Sequence, residues 1–573
     1  MGDRLIRVNM SDQSVELTEF PDDWKLLGGR GLSARILLEE CDPTCDPLGP
    51  DNVLVLAPGV LAGSSAPTSG RISVGTKSPL TGGIKEANAG GNPGQHLNKL
   101  GYRAIIVTGQ PSDPEARYGL EVRADDVKLV PADDLKGVWN YPACAELATR
   151  YEKNASFITI GPAGELRLTG ASVACTDQDN RYPARHAARG GPGAVMGSKG
   201  LKFVAVEPGR SPARAPASKK EFNALVKTYS REYLEGPGYQ TFQFGTSAVV
   251  PIANMLQTFP YKNRTEGQSP DVENLDGKRI QESFAERGGG MHNCLTGCIV
   301  RCSNVVHDKE GEYKTSALEF ETLTLLGANC AIQSWEDVAD LDRLCDDVGL
   351  DTIETGAAIA VLMDAGEMEF GDAEGAKELL QQIADGTELG KVVGNGAAAV
   401  GKRTGHHRVP VVKGQAIPAW DPRPLKATGV TYATSPMGAD HTAGLIVNPG
   451  LQESEFAAAS QKSQVVNAVC DSSGFCQFVT PTLDDIRAFY SHFYGDEVSR
   501  QQISDLGWQC LQDEWEFNRR AGFTDADDVL PTCMAEDAIG PQQVVFDVKP
   551  DIIQAAKQRM PDSDDLYTTK ASG

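Results

Sequence analysis

Histidine is scarce in this sequence, 8 among 573 residues, and aromatic residues make up only 7%. No apolar run approaches the 18 or so residues that span a bilayer, so no transmembrane helix is expected. The opening MGDRLIRVNM lacks the apolar core of a secretory signal. Ile6 stands where a myristoylation signal needs Ser or Thr. A cytoplasmic location is therefore the expectation. Basic residues are also in deficit, 54 Lys and Arg against 78 Asp and Glu, leaving a net charge of −24. Such a chain repels phosphate backbones, which argues against nucleic acid as a partner. An acidic electron carrier would need a local basic patch or a dedicated subunit to dock.

The 13 cysteines are odd in number and unevenly spread, which argues against a disulfide scaffold. At roughly 150 residues per domain the length suits several domains. Residues 1–208 are rich in Gly and β-branched residues. Runs such as Val53-Leu54-Val55-Leu56, Ala104-Ile105-Ile106-Val107 and Phe157-Ile158-Thr159-Ile160 predict strands. No long amphipathic helix pattern separates them, so the β region should be mostly antiparallel. The Pro/Ala-rich stretch 208–216 then reads as a linker. Ser218 with Glu221 predicts a capping box, and Ser334 with Asp337 opens a helix carrying Val338, Leu341, Leu344 and Val348 at helical spacing. Gly349 should end that helix and Asp351 should cap the next. A second break, 417–424, precedes another helical region. The expected fold class is α+β multidomain: a β-rich base domain at 1–208, then two mainly α-helical domains at 209–416 and 417–573.

Cys294, Cys298 and Cys302 stand four residues apart, which on a helix or tight helical loop puts three thiols on one face. Three thiolates, with a fourth from elsewhere, suit a cubane iron–sulfur cluster. Zinc would accept four thiolates, but structural zinc sites bring paired knuckles and no second pair is present. Cys470 and Cys476 are the candidates for the fourth ligand. Asp471-Ser-Ser-Gly474-Phe475-Cys476 echoes Asp346-Asp-Val-Gly349-Leu350-Asp351. Both read as a helix end, a glycine turn and a new start, two loops gripping one ligand. That parallel makes Cys476 the directed side chain and leaves Cys470 in the core.

The order and spacing of several further motifs carry a resemblance. They are Gly28-Gly29-Arg30-Gly31-Leu32, Ala57-Pro58-Gly59, Gly70-Arg71, Ala87-Asn88-Ala89-Gly90-Gly91 and the run Ala188-Arg189 to Lys199. Beyond the linker follow Glu319-Phe320-Glu321-Thr322-Leu323, Gly327-Ala328-Asn329-Cys330, both Asp-x-x-Gly loops, and Tyr432-Ala433-Thr434-Ser435 leading to His441. Over nearly the whole chain the sequence resembles the tungsten-dependent aldehyde:ferredoxin oxidoreductase family. The resemblance implies a tungsten bis-pterin cofactor at the interface of the base and helical domains, with a [4Fe-4S] cluster beside one pterin. It implies Arg71, Asn88, Ala89, Gly90, Gly91 and Arg189 for the pterin phosphates and their bridging magnesium ion. It implies Asp346, Leu350, Asp351, Asp471 and Phe475 for the pterin rings. Glu321 and His441 match the catalytic residues near the metal, and Cys294, Cys298, Cys302 and Cys476 match the cluster ligands.

The chemistry of these residues agrees. Small residues at 89–91 admit phosphate oxygens to the backbone, Arg binds phosphate in two-point fashion, and an Asp carboxylate accepts paired pterin N–H donors. Glu321 sits in the apolar run Leu318 to Leu326, and a carboxyl so placed suits proton transfer. His441 can donate to an oxygen at the metal.

Some positions depart from the family. The first cysteine gap holds three residues where two are commonest, and Phe320 replaces a Tyr found in some members. The second loop reads Gly-Phe-Cys rather than Gly-Leu-Cys. No Glu-x-x-His is present to bind the metal some members place at a homodimer interface. The expected activity is oxidation of an aldehyde to a carboxylic acid, with electrons leaving to ferredoxin or an iron–sulfur subunit. The alternatives are the tungsten subunit of a benzoyl-CoA reductase-type complex acting on an aromatic acyl-CoA, with Cys330 as a metal-ligating candidate, and a non-catalytic electron relay. Tungsten and molybdenum are equivalent at this level, since pterin thiolates hold either.

Overall fold

The β-branched runs pair into two six-stranded sheets in this computed structural model, which describes residues 3–571. The first sheet comprises β1 (Arg4–Asn9), β2 (Ser14–Glu19), β3 (Leu54–Pro58), β4 (Ile72–Lys77), β5 (Ile84–Ala89) and β6 (Tyr102–Thr108), in the order β2-β1-β6-β3-β4-β5. The second comprises β7 (Tyr118–Val122), β8 (Val127–Pro131), β9 (Ser156–Thr159), β10 (Val173–Cys175), β11 (Arg185–Ala187) and β12 (Leu201–Val206), in the order β11-β10-β9-β12-β7-β8. The β1–β6 and β7–β12 pairs are parallel. The remaining neighbours are antiparallel, as the sequence implied.

Both faces of the first sheet are covered, because its strands are apolar at successive positions and successive side chains point opposite ways. Ile6, Leu56 and Ile105 pack onto Leu120, Ile158 and Val204 of the second sheet. Leu5, Val55 and Ile106 face a helical layer instead.

That layer includes an element the sequence pattern hid. The helix Gly29–Glu40 has Gly29 to Ala34, Ile36 and Leu37 buried. A helix enclosed nearly all round shows no apolar stripe, so periodicity cannot reveal it. Its Arg30 is fully buried and pairs through two hydrogen bonds of 2.8 Å with Glu514, on the helix Arg500–Arg520.

Beyond residue 218 the chain is mainly helical, with a three-stranded sheet (Gly290–His292, Ser303–His307, Tyr313–Ser316) and a short hairpin inserted. Ser334 caps the helix Trp335–Val348 by accepting from the Asp337 N–H, Gly349 ends it at φ 83°, and Asp351 caps Thr352–Asp364. The expected capping box at Ser218 does not form. Ser218 precedes the helix Lys219–Glu235, but its ψ of 67° leaves the extended region that capping needs, and its hydroxyl accepts no cap bond.

The Pro-rich stretch 417–424 is not an exposed tether. Arg264, Asp421 and Arg423 form a fully buried cluster there. The Arg264 guanidinium also donates to the carbonyls of Ile417 and Pro418, satisfying backbone that proline keeps out of regular structure. Among the described residues, no helix is long and apolar enough to cross a membrane.

Candidate functional site

Cys294, Cys298 and Cys302 lie in the loop between the strands Gly290–His292 and Ser303–His307, not on a helix. The reason is local: Gly297 at φ 81° and Arg301 at φ 57° are left-handed and stop any helical turn from forming. The loop is pinned from the base domain. Gln95 donates to the Thr296 carbonyl, and the Thr68 hydroxyl accepts from the Ile299 N–H at 3.0 Å. Cys476 reaches the same place from the second helical region, its N–H donating to the Thr68 carbonyl at 2.9 Å. Thr68 thus ties both thiol-bearing segments to one residue.

Cys294, Cys302 and Cys476 line a single cavity of about 360 Å³. Cys298 sits behind them, buried, its sulfur accepting from the Arg301 N–H at 3.4 Å. The Cys298 thiol, then Arg185 and Arg71, pull Cys294 down to about 6. Cys470 lies outside the cavity lining, fully buried, with its sulfur 3.5 Å from the Phe475 carbonyl. Among the described residues, no three His, Cys, Asp or Glu side chains are set to hold a single metal ion.

Arg71 links the thiols to the sheet. Its guanidinium bonds the side chain and carbonyl of Asn88 and approaches Cys476 Sγ at 3.9 Å. Gly90 lies open to the thiols, since a Cβ there would stand 3.3 Å from Cys294 Sγ. Gly91 serves a different contact: at φ 87° it lets the chain pass the Thr176 carbonyl, 2.5 Å from where a Cβ would be. Arg71, Asn88 and Gly90 line the cavity, while Ala89 and Gly91 do not.

The two Asp-x-x-Gly loops share one geometry. Gly349 and Gly474 are both left-handed, at φ 83° and 88°, closing the helices Trp335–Val348 and Phe456–Ser473. Asp346, Leu350, Asp351 and Asp471 line the cavity. Phe475 does not, packing instead among Tyr229 and Phe489. Burial, reinforced by Glu86, pushes Asp471 up to about 8 although Arg30 lies 3.7 Å away. Arg189 also lines the cavity, and it is heavily tied already. It bonds Asp351 and the backbone carbonyls of Ala416 and Ala439.

Glu321 and His441 come together from sequence positions 120 residues apart. Glu321 Oε2 accepts from the Ala419 N–H at 2.7 Å, so the buried 417–424 segment holds the carboxylate. Glu321 Oε1 and His441 Nδ1 are both buried without a hydrogen-bond partner, 3.8 Å apart. An orphaned acceptor and an orphaned ring nitrogen facing one another are what a ligand atom would satisfy. His441 is presented by a turn that Asp440 builds, accepting from the Thr442 N–H and hydroxyl at 3.0 and 2.8 Å. Lys85 pairs with the other Asp440 oxygen, and Lys85, then Arg189 and His441, hold the Asp440 carboxyl well below the usual range against its burial.

Several residues in and beside the cavity were given no role by the sequence reading. His186 Nε2 lies 3.1 Å from Asp346 Oδ1, and the Asn140 amide donates to the Asp346 carbonyl at 2.8 Å. Arg185 and Glu319 stand beside the thiols. Arg185, His186 and Asn140 belong to no motif read in the sequence, and Glu319, though inside the Glu319–Leu323 motif, was given no role there. Cys330 is brought to no such place. It is fully buried outside the cavity lining, its thiol 3.3 Å from the carbonyls of Leu325 and Gly356.

Residues 5–208 match the family model for the N-terminal domain of aldehyde ferredoxin oxidoreductase, and residues 224–558 match the model for domains 2 and 3. The tungsten-containing aldehyde ferredoxin oxidoreductase of Pyrococcus furiosus is 32% identical over 573 residues, covering 93% of this chain and 91% of that protein. The protein of the same name from Thermococcus kodakarensis is 32% identical over 569 residues, with the same coverage of 93% and 91%. Among solved structures, the active site complex BamBC of benzoyl coenzyme A reductase, in complex with 1,5 dienoyl-CoA, superposes with a TM-score of 0.80. That likeness covers 96% of this chain and 92% of that one at 18% identity, and it speaks for the fold. The chain belongs to the aldehyde ferredoxin oxidoreductase family, a family of oxidoreductases.

Proposed function

We propose, from that membership, that the chain oxidises an aldehyde and water to a carboxylic acid, two protons and two electrons at a tungsten bis-pterin centre. The observation that carries the reading is the Glu321–His441 pair. Its unpartnered atoms face each other across 3.8 Å and line the cavity that also bears Cys294, Cys302 and Cys476. One atom placed about 2.8 Å from both would satisfy the pair.

When bound, the bis-pterin metal supplies two-electron redox chemistry and an activated oxygen. The chain's own residues do the rest. Glu321 takes the proton released as the new carbon–oxygen bond forms, its geometry fixed by the Ala419 N–H. His441 orients the oxygen through Nδ1. Asp346 and Asp471 hold pterin N–H groups, Asp351 and Leu350 complete the first loop, and Phe475 packs the second loop from behind. Arg71, Asn88 and the Gly90 backbone would take the phosphates and their magnesium ion, with Arg189 lining the same cavity. Cys294, Cys298, Cys302 and Cys476 would hold a [4Fe-4S] cluster. Such a cluster would supply one-electron transfer towards ferredoxin or a ferredoxin-like subunit.

The benzoyl-CoA reductase-type reading has less support. The relatives at 32% identity are named as aldehyde enzymes, and the Cys330 thiol is engaged with backbone carbonyls away from the cavity. The test is to assay purified, metal-loaded protein with a viologen acceptor against a panel of aldehydes, and with a reductant against aromatic acyl-CoA thioesters, alongside tungsten, molybdenum and iron analysis. Aldehyde oxidation with tungsten present is the expected result. Thioester reduction without aldehyde turnover would replace the reading, and iron without tungsten or molybdenum would favour an electron relay.

A further inference from the structure

Two thiols far from the cavity lining lie against each other. Cys41 directly follows the helix Gly29–Glu40, its N–H donating to the Leu37 carbonyl at 3.0 Å, and Cys45 comes four residues later. The chain between them folds back on itself. The Asp42 side chain accepts from the N–H and the hydroxyl of Thr44, both at 2.8 Å, and the Asp42 carbonyl accepts from the Cys45 N–H at 3.1 Å. Lys77, at the end of β4, donates to the carbonyls of Pro43 and Cys45. The loop so held leaves the two sulfurs 4.0 Å apart. Cys41 is 4% exposed, Cys45 is half-buried, and neither lines the cavity. A second lysine stands near. Lys199 is fully buried, its ammonium donating to the Gly109 carbonyl at 3.3 Å. Burial pulls Lys199 down to about 8, and Cys41 and then Cys45 oppose that fall most. The Cys41 thiol, and then Lys77, hold Cys45 below the ordinary thiol range against its partial burial, while Cys45 and burial push Cys41 up.

We propose that Cys41 and Cys45 form a reversible redox pair, closing to an intramolecular disulfide when a low-molecular-weight disulfide acts as oxidant. The accessible Cys45 thiolate attacks one sulfur of the oxidant, forming a mixed disulfide and expelling one small thiolate. Once Cys45 is capped, the neighbour that most holds the Cys41 proton is gone, and the two lysines favour the Cys41 thiolate. Cys41 then attacks the Cys45 sulfur, the Cys41–Cys45 bond forms and the second small thiolate leaves. Two protein thiols lose two electrons and two protons, and the oxidant takes both up as two small thiols. The sulfurs must close by about 2 Å to reach bonding distance, which rotation of the Cys45 side chain on its surface loop supplies. A bridge across so short a loop removes little entropy from the unfolded chain, so it is a poor staple. A half-exposed bridge is also open to reduction, which suits a reversible pair.

The experiment equilibrates anaerobic holoenzyme with oxidised and reduced glutathione at a series of ratios and quenches it with acid. Every free thiol is then alkylated with N-ethylmaleimide in denaturant. Trypsin releases both thiols in one peptide, residues 36–71, which holds no other cysteine. Mass spectrometry reads its labels, and iron is measured on each sample. The expected result is loss of both labels from that peptide at oxidising ratios, reversed by excess reduced glutathione, at unchanged iron content. Cys41→Ser should trap glutathione on Cys45, and Cys45→Ser should leave Cys41 labelled and free of glutathione. A wild-type peptide that keeps both labels at every ratio overturns the proposal. So does glutathione stranded on the wild-type thiols without a bridge, or label loss that comes only with iron loss and therefore with unfolding. Should a Ser variant not fold, the wild-type labelling alone decides.

Discussion

Glu321 Oε1 and His441 Nδ1 lie 3.8 Å apart, each buried and each without a hydrogen-bond partner. That separation is too long for a bond between them and short enough for one oxygen to bridge both. Glu321→Gln keeps the shape and the Ala419 contact but cannot take a proton. The variant should retain its metal and iron content and lose turnover by about 10²–10⁴-fold, the range general-base removal produces. Metal analysis with steady-state kinetics checks this, and undiminished turnover would remove Glu321 from the mechanism.

Cys470 and Cys476 give a paired prediction. Cys476 lines the cavity with Cys294 and Cys302 and is held by the Thr68 carbonyl, whereas Cys470 is enclosed in the core. Cys476→Ser should lower iron and acid-labile sulfide content, and Cys470→Ser should leave about four irons per chain. The reverse pattern would reassign the fourth ligand.

Much of this site was legible in sequence because it is built from punctuation. Gly349 and Gly474 are needed where the chain turns left-handed, and the cysteines recur at a fixed interval. The Asp346 and Asp471 loops could be read as a pair for that reason. Helix and loop were both left open for the thiol segment because spacing of four fits both, and only the positive φ at Gly297 and Arg301 separates them. Arg185, His186, Lys85 and Asp440 stayed hidden, because a lone polar residue gains meaning only from what folding brings against it. The 417–424 segment was read as a break for another reason. Small residues and prolines signal flexibility in isolation, yet here they permit tight enclosure.

Gly59 shows how tight. A Cβ on Gly59 would stand 2.1 Å from Gly474 Cα, so the base domain and the second Asp-x-x-Gly loop meet backbone to backbone. Neither side can yield by rotating a side chain. Gly59→Ala should therefore displace the loop carrying Asp471 and Cys476, costing at least the ~1–3 kcal/mol typical of overpacking. Its unfolding midpoint and iron content should both fall. Gly450→Ala, at an exposed turn where the nearest atom to a new Cβ is Asn448 Oδ1 at 3.3 Å, is the control that should change neither. Equal effects in the two variants would show that the contact does not govern the loop.

Glu354 makes stability depend on pH. The side chain is buried on Thr352–Asp364 and accepts from the N–H groups of Ala397 and Ala416, at 2.9 and 2.8 Å. Burial nevertheless pushes its pKa from 4.5 up to about 7, with Asp351 adding to the rise. Between those values the folded chain keeps a proton that the unfolded chain has lost. Stability from this group therefore falls as pH rises through the window and levels off above about 7. The difference of 2.5 pKa units from those two values corresponds to about 3 kcal/mol at most. Glu354→Gln cannot ionise, but its amide must turn an N–H₂ towards one of the two backbone donors, losing about one buried hydrogen bond. The variant should melt below wild type at pH 5, and the gap should close or reverse by pH 8. Unfolding midpoints at the two pH values, compared at one scan rate, measure this, and a gap that does not change with pH would mean Glu354 is ionised throughout.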